Sequence, residues 1–314
     1  MNCPICSYDN TYFKFKLFDD RYGYPGFYDI RKCRNCDHHF LNDSLNIQKI
    51  NDLYTNYYPR NTFKVDRYKP YQEKKGFSAW LNGLDRSAFR WVPKNIRVLD
   101  IGCGFGESLG YHEKRGCDAY GVEADENITK VVDKYGFNVH VGLFRPDLYK
   151  PAFFDFVTMD QVIEHIVNPI ETLKGIATVL KSGGVAILST PNANGWGART
   201  FKRHWINWHV PYHIQFFSKR SMRIAAEKAG LKIKTAKTIT SSEWLLYQWI
   251  HLFTYPKSGD ASKFWDPRQS KDFRTRLALK LCSLIHASKI DHFLTRFFDM
   301  CGLGDNYLFI LHKT

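Results

Sequence analysis

The sequence predicts an α/β fold built on a doubly wound, mainly parallel sheet. A small cysteine-bearing module precedes the sheet, and a helical insertion interrupts it before its last strand. Three observations carry this expectation. A strand, a glycine-rich turn and a helix follow one another over residues 97–115; apolar strands then alternate with helical stretches as far as residue 238; and two C-x-x-C pairs stand near the start. With 314 residues, 44% hydrophobic and 24% charged, the chain has the composition of a soluble globule and needs no disulfide staple for its main core. Disordered tails, collagen-like fibres and coiled coils are excluded. No apolar run approaches the roughly 18 residues of a membrane span, and Met1-Asn2-Cys3-Pro4 lacks a signal-peptide pattern. A cytoplasmic protein is expected. The formal charge of +14 calls for an anionic partner, and the 16% aromatic content suits a wet binding surface as well as a core.

Residues 1–40 form the first unit. Cys3-Pro4-Ile5-Cys6 and Cys33-Arg34-Asn35-Cys36 are two knuckles that can aim four thiolates at one tetrahedral point, which suits Zn2+. Gly23, Pro25 and Gly26 lie among aromatics between them, as in a hairpin. A closed four-cysteine set makes the ion structural and His38 and His39 spectators. Residues 41–95 read as an aromatic and helical linker, with Tyr54, Tyr57, Tyr58, Tyr68 and Tyr71 followed by a helical pattern from Ser78 to Trp91. Cys103, Cys117, Cys282 and Cys301 have no partner pattern and read as small core residues.

The sheet unit spans 96–240. Arg97–Ile101 is a short apolar strand, Gly102-Cys103-Gly104-Phe105-Gly106 a tight turn, and Glu107–Arg115 a helix whose first N–H groups face a ligand. A second strand, Asp118–Val122, runs into Glu123, at the distance where a carboxylate can accept both hydroxyls of a ribose. The glycines recur at every second position after an acid, Asp100-Ile101-Gly102-Cys103-Gly104-Phe105-Gly106, which differs from the G-x-G-x-x-G of dinucleotide folds. This run resembles motif I of the class I S-adenosylmethionine-dependent methyltransferases. Further strands at Asn138–Val141 and Phe154–Asp160 continue the resemblance, and Gln161-Val162-Ile163-Glu164-His165-Ile166-Val167-Asn168-Pro169 is similar to the corresponding segment of Methyltransf_11 and Methyltransf_23-type enzymes. A helix over 170–180 with a glycine stop at Lys181–Gly184 precedes a fifth strand, Val185–Thr190; a sixth follows at Lys232–Thr238 and the last at Tyr307–His312.

The resemblance implies a Rossmann-like seven-stranded methyltransferase sheet with S-adenosylmethionine as donor. It implies donor contacts from Asp100, Gly102, Cys103, Gly104, Gly106, Glu123, Ala124, Leu143, Phe144, Asp160 and Gln161. In that family the linker lies over the donor, so Tyr57 and Tyr58 are candidate lid residues. The N-terminal cysteines extend the similarity to sugar and surface-polysaccharide methyltransferases.

Methyl transfer to a hydroxyl gains from a positioned base, and histidine suits neutral pH. His165, His209 and His213 are the candidates. His213 is preferred because Trp208–Ser218 resembles a substrate-side element; Tyr212 is the fallback. Arg199, Lys202, Arg203 and Trp205 in the same loop read, with Tyr212, as a grip on an anionic acceptor such as a nucleotide-linked sugar or glycan. Residues 241–305 form the helical insertion, an extra core, a homodimer contact or a surface leaning on membrane, and 306–314 the last strand. The leading function is O-methylation of a sugar or glycan. An RNA methyltransferase is the competing reading. It is disfavoured because Asp160-Gln161-Val162-Ile163 lacks the Pro-Pro element of base-amine enzymes and because the basic residues cluster at 199–237. A non-catalytic scaffold is the third.

Overall fold

The structure, a computed structural model, describes residues 2–42, 47–59 and 65–314. Residues 43–46 and 60–64 of the expected linker lie outside the described residues. Strands β1 (Thr11–Leu17), β2 (Tyr28–Cys33) and β3 (His39–Leu41) form an antiparallel ribbon. Two short helices follow, α1 (Ile47–Asp52) and α2 (Gly76–Leu81). The helix expected over 78–91 breaks after Leu81 into single turns at Leu84–Arg86 and Ala88–Trp91. The cause is Gly83, which turns left-handed (φ 63°) where an added Cβ would collide with the Thr240 carbonyl oxygen.

From there strands and helices alternate: β4 (Arg97–Ile101), α3 (Glu107–Glu113), β5 (Asp118–Glu123), α4 (Thr129–Tyr135), β6 (Asn138–Val141), β7 (Phe154–Asp160), α5 (Pro169–Val179) and β8 (Leu180–Pro191). After α6 (Trp196–Phe201) come the two-residue β9 (Gln215–Phe216), α7 (Lys219–Lys228) and β10 (Leu231–Thr238). Three helices, α8 (Ser242–Phe253), α9 (Phe273–Ala287) and α10 (Ile290–Met300), fill the insertion before β11 (Asn306–Lys313). The sequence reading had no helix at α10. The Ser218 hydroxyl accepts the Ser221 N–H to cap α7.

The main sheet has seven strands in the order β10-β11-β8-β7-β4-β5-β6, with β11 antiparallel to both neighbours. The chain steps outward from β4 through β5 and β6, then crosses back to β7 on the other side of β4. That reversal leaves a crevice at the carboxyl ends of β4 and β7, where α/β sheets bind ligands. Val98, Leu99, Phe154, Val157, Met159, Ile187 and Leu188 are all within 1% of complete burial, as strands covered on both faces require. The expected glycine stop does not end α5. Leu180 is already extended and pairs with Phe154, and residues 181–184 bulge before Val185 rejoins the ladder opposite Phe156. Burial of Leu180 in the core takes precedence over one more helical residue. Of the four unpaired cysteines expected in the core, Cys301 is exposed.

The ribbon is joined to the sheet unit by backbone. β9 adds to the free edge of β3, with His39 opposite Phe216 and Phe40 opposite Gln215. His38 Nε2 lies 2.7 Å from Gln215 Oε1, the Ser218 hydroxyl donates to the Cys36 carbonyl at 2.6 Å, and Lys228 Nζ donates to the Ile5 carbonyl at 2.7 Å.

Candidate active site

The crevice begins at the glycine turn. Gly102, Gly104 and Gly106 all have positive φ, and the Gly102 N–H returns to the Val122 carbonyl at 2.8 Å. A Cβ at Gly102 would collide with Val162 Cγ2, whereas above Gly104 there is nothing within 4 Å. The turn is thus tight on its inner side and open where a ligand would lie. Asp100 is buried, and its carboxylate accepts the Ser108 hydroxyl and, at 2.7 Å, the Thr158 hydroxyl. Burial pushes its pKa up to about 6. Asp100 therefore ties the turn to α3 and β7 from within. Half-buried Glu123 accepts the Gly104 N–H at 2.9 Å and the Asp125 N–H at 2.8 Å, bridging the turn to the end of β5. Buried Cys103 and exposed Ala124 flank these two residues.

Leu143 follows β6 with its side chain 69% exposed, an apolar surface next to Glu123, while Phe144 turns inward against Gly175. At the end of β7 Asp160 accepts the Ser189 hydroxyl. Gln161, with φ 58°, donates to Ser189 Oγ at 3.0 Å and Asn306 Oδ1 at 2.7 Å, so β8 and β11 pin this corner.

Two linker tyrosines belong to the same crevice, which the sequence did not single out. The Tyr68 hydroxyl donates to the Gly106 carbonyl at 2.9 Å. Tyr71 donates its N–H to the Glu107 carbonyl at 3.0 Å and stacks on Phe89 at 4.7 Å. Its phenol is pushed up to about 12 by burial and by Glu107, Asp160 and Asp100. Pro70 between them, which holds the chain extended, is the one local signal for this strap.

Beyond Gln161 the turn Ile163–His165 and the loop 202–214 bring three histidines together. His165 Nδ1–H donates to the Tyr212 carbonyl at 2.9 Å and His213 Nδ1–H to the Asn207 carbonyl at 2.8 Å, which makes Nε2 the proton-accepting atom of each ring. The His165 and His213 rings are 4.7 Å apart, the His213 and His209 rings 4.9 Å, and His209 stacks on Tyr212 at 4.7 Å. Burial holds His209 and His213 well below the usual histidine range, so both are neutral at pH 7. Glu164 beneath them is fully buried; Thr190 donates to one oxygen at 3.1 Å, the other has no partner, and desolvation pushes its pKa to about 8. Ligand atoms of Glu164, His165 and His213 all lie within 4.8 Å of one another.

A tyrosine cluster completes this side. Tyr58 and Tyr212 lie 5.5 Å apart, ring centroid to centroid, and each lies 5.4–5.7 Å from both Tyr22 and Tyr54. The Tyr54 hydroxyl reaches His165 Nδ1 at 3.3 Å, and Tyr57 packs edge-on against Tyr24 at 4.8 Å. Tyr22 comes from the β1–β2 loop, held by Asp19, which accepts the backbone N–H groups of Arg21, Tyr22 and Tyr24. The N-terminal ribbon therefore supplies a wall of the histidine site. The Tyr212 hydroxyl and His209 Nε2 are buried without a partner, an arrangement expected where a bound group completes the hydrogen bonding. Among the basic-loop residues Arg199, Lys202 and Arg203 are exposed, whereas Trp205 is fully buried, edge-on to Trp208 at 5.1 Å.

The two knuckles bring Cys3 and Cys36 Sγ to 3.6 Å and Cys6 and Cys33 Sγ to 3.6 Å, with all four sulfurs within 4.8 Å of one another. Ser7 and Asp37, each directly after the second cysteine of its knuckle, have φ of 62° and 57°. The two knuckles thus repeat one geometry. Four sulfurs at this spacing fit a tetrahedral ion, for which Zn–S bonds of about 2.3 Å place sulfurs about 3.8 Å apart.

A family model described as a methyltransferase domain matches residues 71–236. A ubiquinone biosynthesis O-methyltransferase of Azoarcus sp. strain BH72 is 28% identical over 160 residues, 48% of this chain and 64% of that protein. A protein of the same name from Xanthomonas campestris pv. campestris strain B100 is 31% identical over 116 residues, 35% of this chain and 48% of that protein. The matched part is less than two thirds of either relative. Among solved structures, an Archaeoglobus fulgidus SAM-dependent methyltransferase covers 72% of this chain and 88% of its own at 19% identity and a TM-score of 0.43. A geranyl diphosphate C-methyltransferase of Streptomyces coelicolor covers 76% and 79% at 13% identity and a TM-score of 0.46.

Proposed function

Because the chain belongs to the methyltransferase-domain family, we propose that it O-methylates a ring-borne hydroxyl, with S-adenosylmethionine as methyl donor and a histidine as base. The observation that carries the reading is the meeting of two half-sites at the end of β7. An open glycine turn with Glu123 lies on one side, and neutral histidines with partnerless buried polar atoms lie on the other. The residues of the crevice fit the donor: open space over Gly104 admits an adenosyl group, Glu123 is placed for its ribose hydroxyls, and exposed Leu143 offers apolar surface to a base. The donor supplies an electrophilic methyl on a sulfonium, whose departing thioether needs no acid. Everything else falls to positioning and to one proton. His165 and His213 each engage a backbone carbonyl through Nδ1, which leaves Nε2 as the atom for that proton, and burial keeps His213 neutral. His165 is half-buried and follows Asp160 by five residues in sequence, and its ring lies 4.7 Å from that of buried His213.

The tyrosine cluster offers flat surfaces to a ring. A nucleotide-linked sugar or glycan is supported by exposed Lys202 and Arg203 at the start of the histidine loop and exposed Arg199 on the helix just before it. An aromatic-ring hydroxyl is the second reading, supported by the aromatic lining and by the role in ubiquinone biosynthesis that the relatives' name states. Zinc on Cys3, Cys6, Cys33 and Cys36 completes the proposal. With all four positions taken by sulfur, the ion would hold the ribbon, and through β3 and β9 the histidine loop, without touching substrate.

The test is mass spectrometry of donor-dependent products from panels of nucleotide sugars, glycan fragments and phenols, run with His165→Ala and His213→Ala. Loss of about 10²–10⁴-fold in turnover in at least one variant, with donor affinity retained, is expected. Full turnover in both would remove the histidine base.

A further inference from the structure

Helix α10 carries its polarity inside out. On α10 the buried side chains are Asp291, His292, Thr295 and Arg296, and they are engaged. His286 and His292 both donate Nδ1–H to the Asp291 carboxylate, and Arg296 donates to the carbonyls of Trp80 and Thr240 and pairs with Asp299 at 2.9 Å. The residues facing outward are Ile290, Phe293, Leu294, Phe297 and Met300, 40–79% exposed. Their spacing of three and four places them on one stripe. Adjacent α9 adds a second stripe, Phe273, Leu277, Leu281, Leu284 and Ile285, 45–72% exposed. Phe77 and Trp80 of α2, beside α10, extend the apolar area. A contiguous apolar surface of this kind marks an interaction face.

Charge decides what covers it. Arg274, Arg276, Lys280 and Lys289 are exposed on the same helix pair. The acids of residues 273–300, Asp291 and Asp299, are turned inward, with side chains 4% and 9% exposed. A second copy docked about a two-fold axis would bring these four cations against themselves. An anionic lipid surface answers both features, since phosphates meet the cations while the stripes enter the acyl boundary. We infer that the α9–α10 hairpin is a membrane-interface surface that holds the protein peripherally on anionic bilayers. It lies on the bilayer, since no helix among the described residues is long and apolar enough to cross one.

The experiment is flotation of the full chain with vesicles of phosphatidylcholine mixed with phosphatidylglycerol, against phosphatidylcholine alone. The protein is expected to float with the mixed vesicles and to be released by salt. Phe293→Ser/Phe297→Ser should abolish flotation, and Arg276→Gln and Lys280→Gln should each weaken it about fivefold. All variants should bind S-adenosylhomocysteine as the parent does, which shows that they fold. A folded parent that fails to float, or flotation indifferent to these substitutions, overturns the inference. So does a dimer in analytical ultracentrifugation that Phe293→Ser/Phe297→Ser dissolves, which would assign the face to a second copy.

Discussion

Replacing Gly104 by alanine isolates the contact on which donor binding depends. The residue has φ 58° and nothing within 4 Å of where an added methyl group would sit, so the substitution meets no protein atom. Its cost to folding is the left-handed backbone alone, about 1–2 kcal/mol. The new methyl does project into the space assigned to the donor. A ligand in van der Waals contact with the bare backbone must then move away, and a loss of affinity of tenfold, about 1.4 kcal/mol, is the least expected. Gly102→Ala supplies the contrast. Its Cβ would collide with Val162 Cγ2, so overpacking of about 1–3 kcal/mol adds to the backbone strain. The assays are urea unfolding for stability and isothermal titration calorimetry with S-adenosylhomocysteine for affinity. Gly104→Ala should be the milder variant in urea yet clearly impaired in the calorimeter. Unchanged affinity in Gly104→Ala, with the small stability loss present, would refute the placement of the donor over the turn.

Glu123→Ala removes the acceptor of the Gly104 and Asp125 N–H groups, and donor affinity should fall about tenfold or more in the same calorimeter. Glu164→Gln tests the buried acid. Its folded pKa, about 8 against 4.5, means that the stability from keeping it neutral is whole below pH 4.5 and is lost as pH rises through 8, at most about 5 kcal/mol. Urea unfolding should therefore show the parent losing stability between pH 6 and pH 9 where Glu164→Gln loses much less; parallel losses count against a neutral Glu164. His209 and His213 act in the opposite direction. Their lowered folded values contribute stability above the ordinary histidine range that is lost as pH falls below about 6.5, so the parent should also weaken on the acid side. Cys33→Ser/Cys36→Ser should lose a stoichiometric zinc by atomic absorption and lower the thermal midpoint; a metal-free variant with unchanged melting and turnover would contradict the metal reading.

The legible parts of this protein were those whose chemistry is local. The strand, glycine turn and helix from Arg97 onward are contiguous in sequence, and the register that puts Glu123 on Gly104 follows from one βαβ unit. Two C-x-x-C pairs state their own geometry, because a knuckle is four residues long. The histidines were found by type and segment, but their grouping with Tyr22, Tyr54 and Tyr58 was not, since those tyrosines arrive from the ribbon loop and the linker. Tyr71 was one aromatic among many until Phe89 and Glu107 placed it. Trp205 read as part of the grip on an anionic acceptor because its neighbours are basic, and only packing shows it fully buried.

By itself the sequence determined the order of strands and helices in the sheet unit, the glycine turn with its two acids, and the four-sulfur set, all products of short-range spacing and steric rules. Tertiary structure decided the rest: that β9 closes the ribbon's sheet, that the ribbon therefore walls the histidine site, and that α10 shows its apolar face to the outside. Such features depend on which distant segments share an edge or a face. Periodicity along a chain can say that a helix has two unlike sides, but not which of them the remainder of the molecule covers.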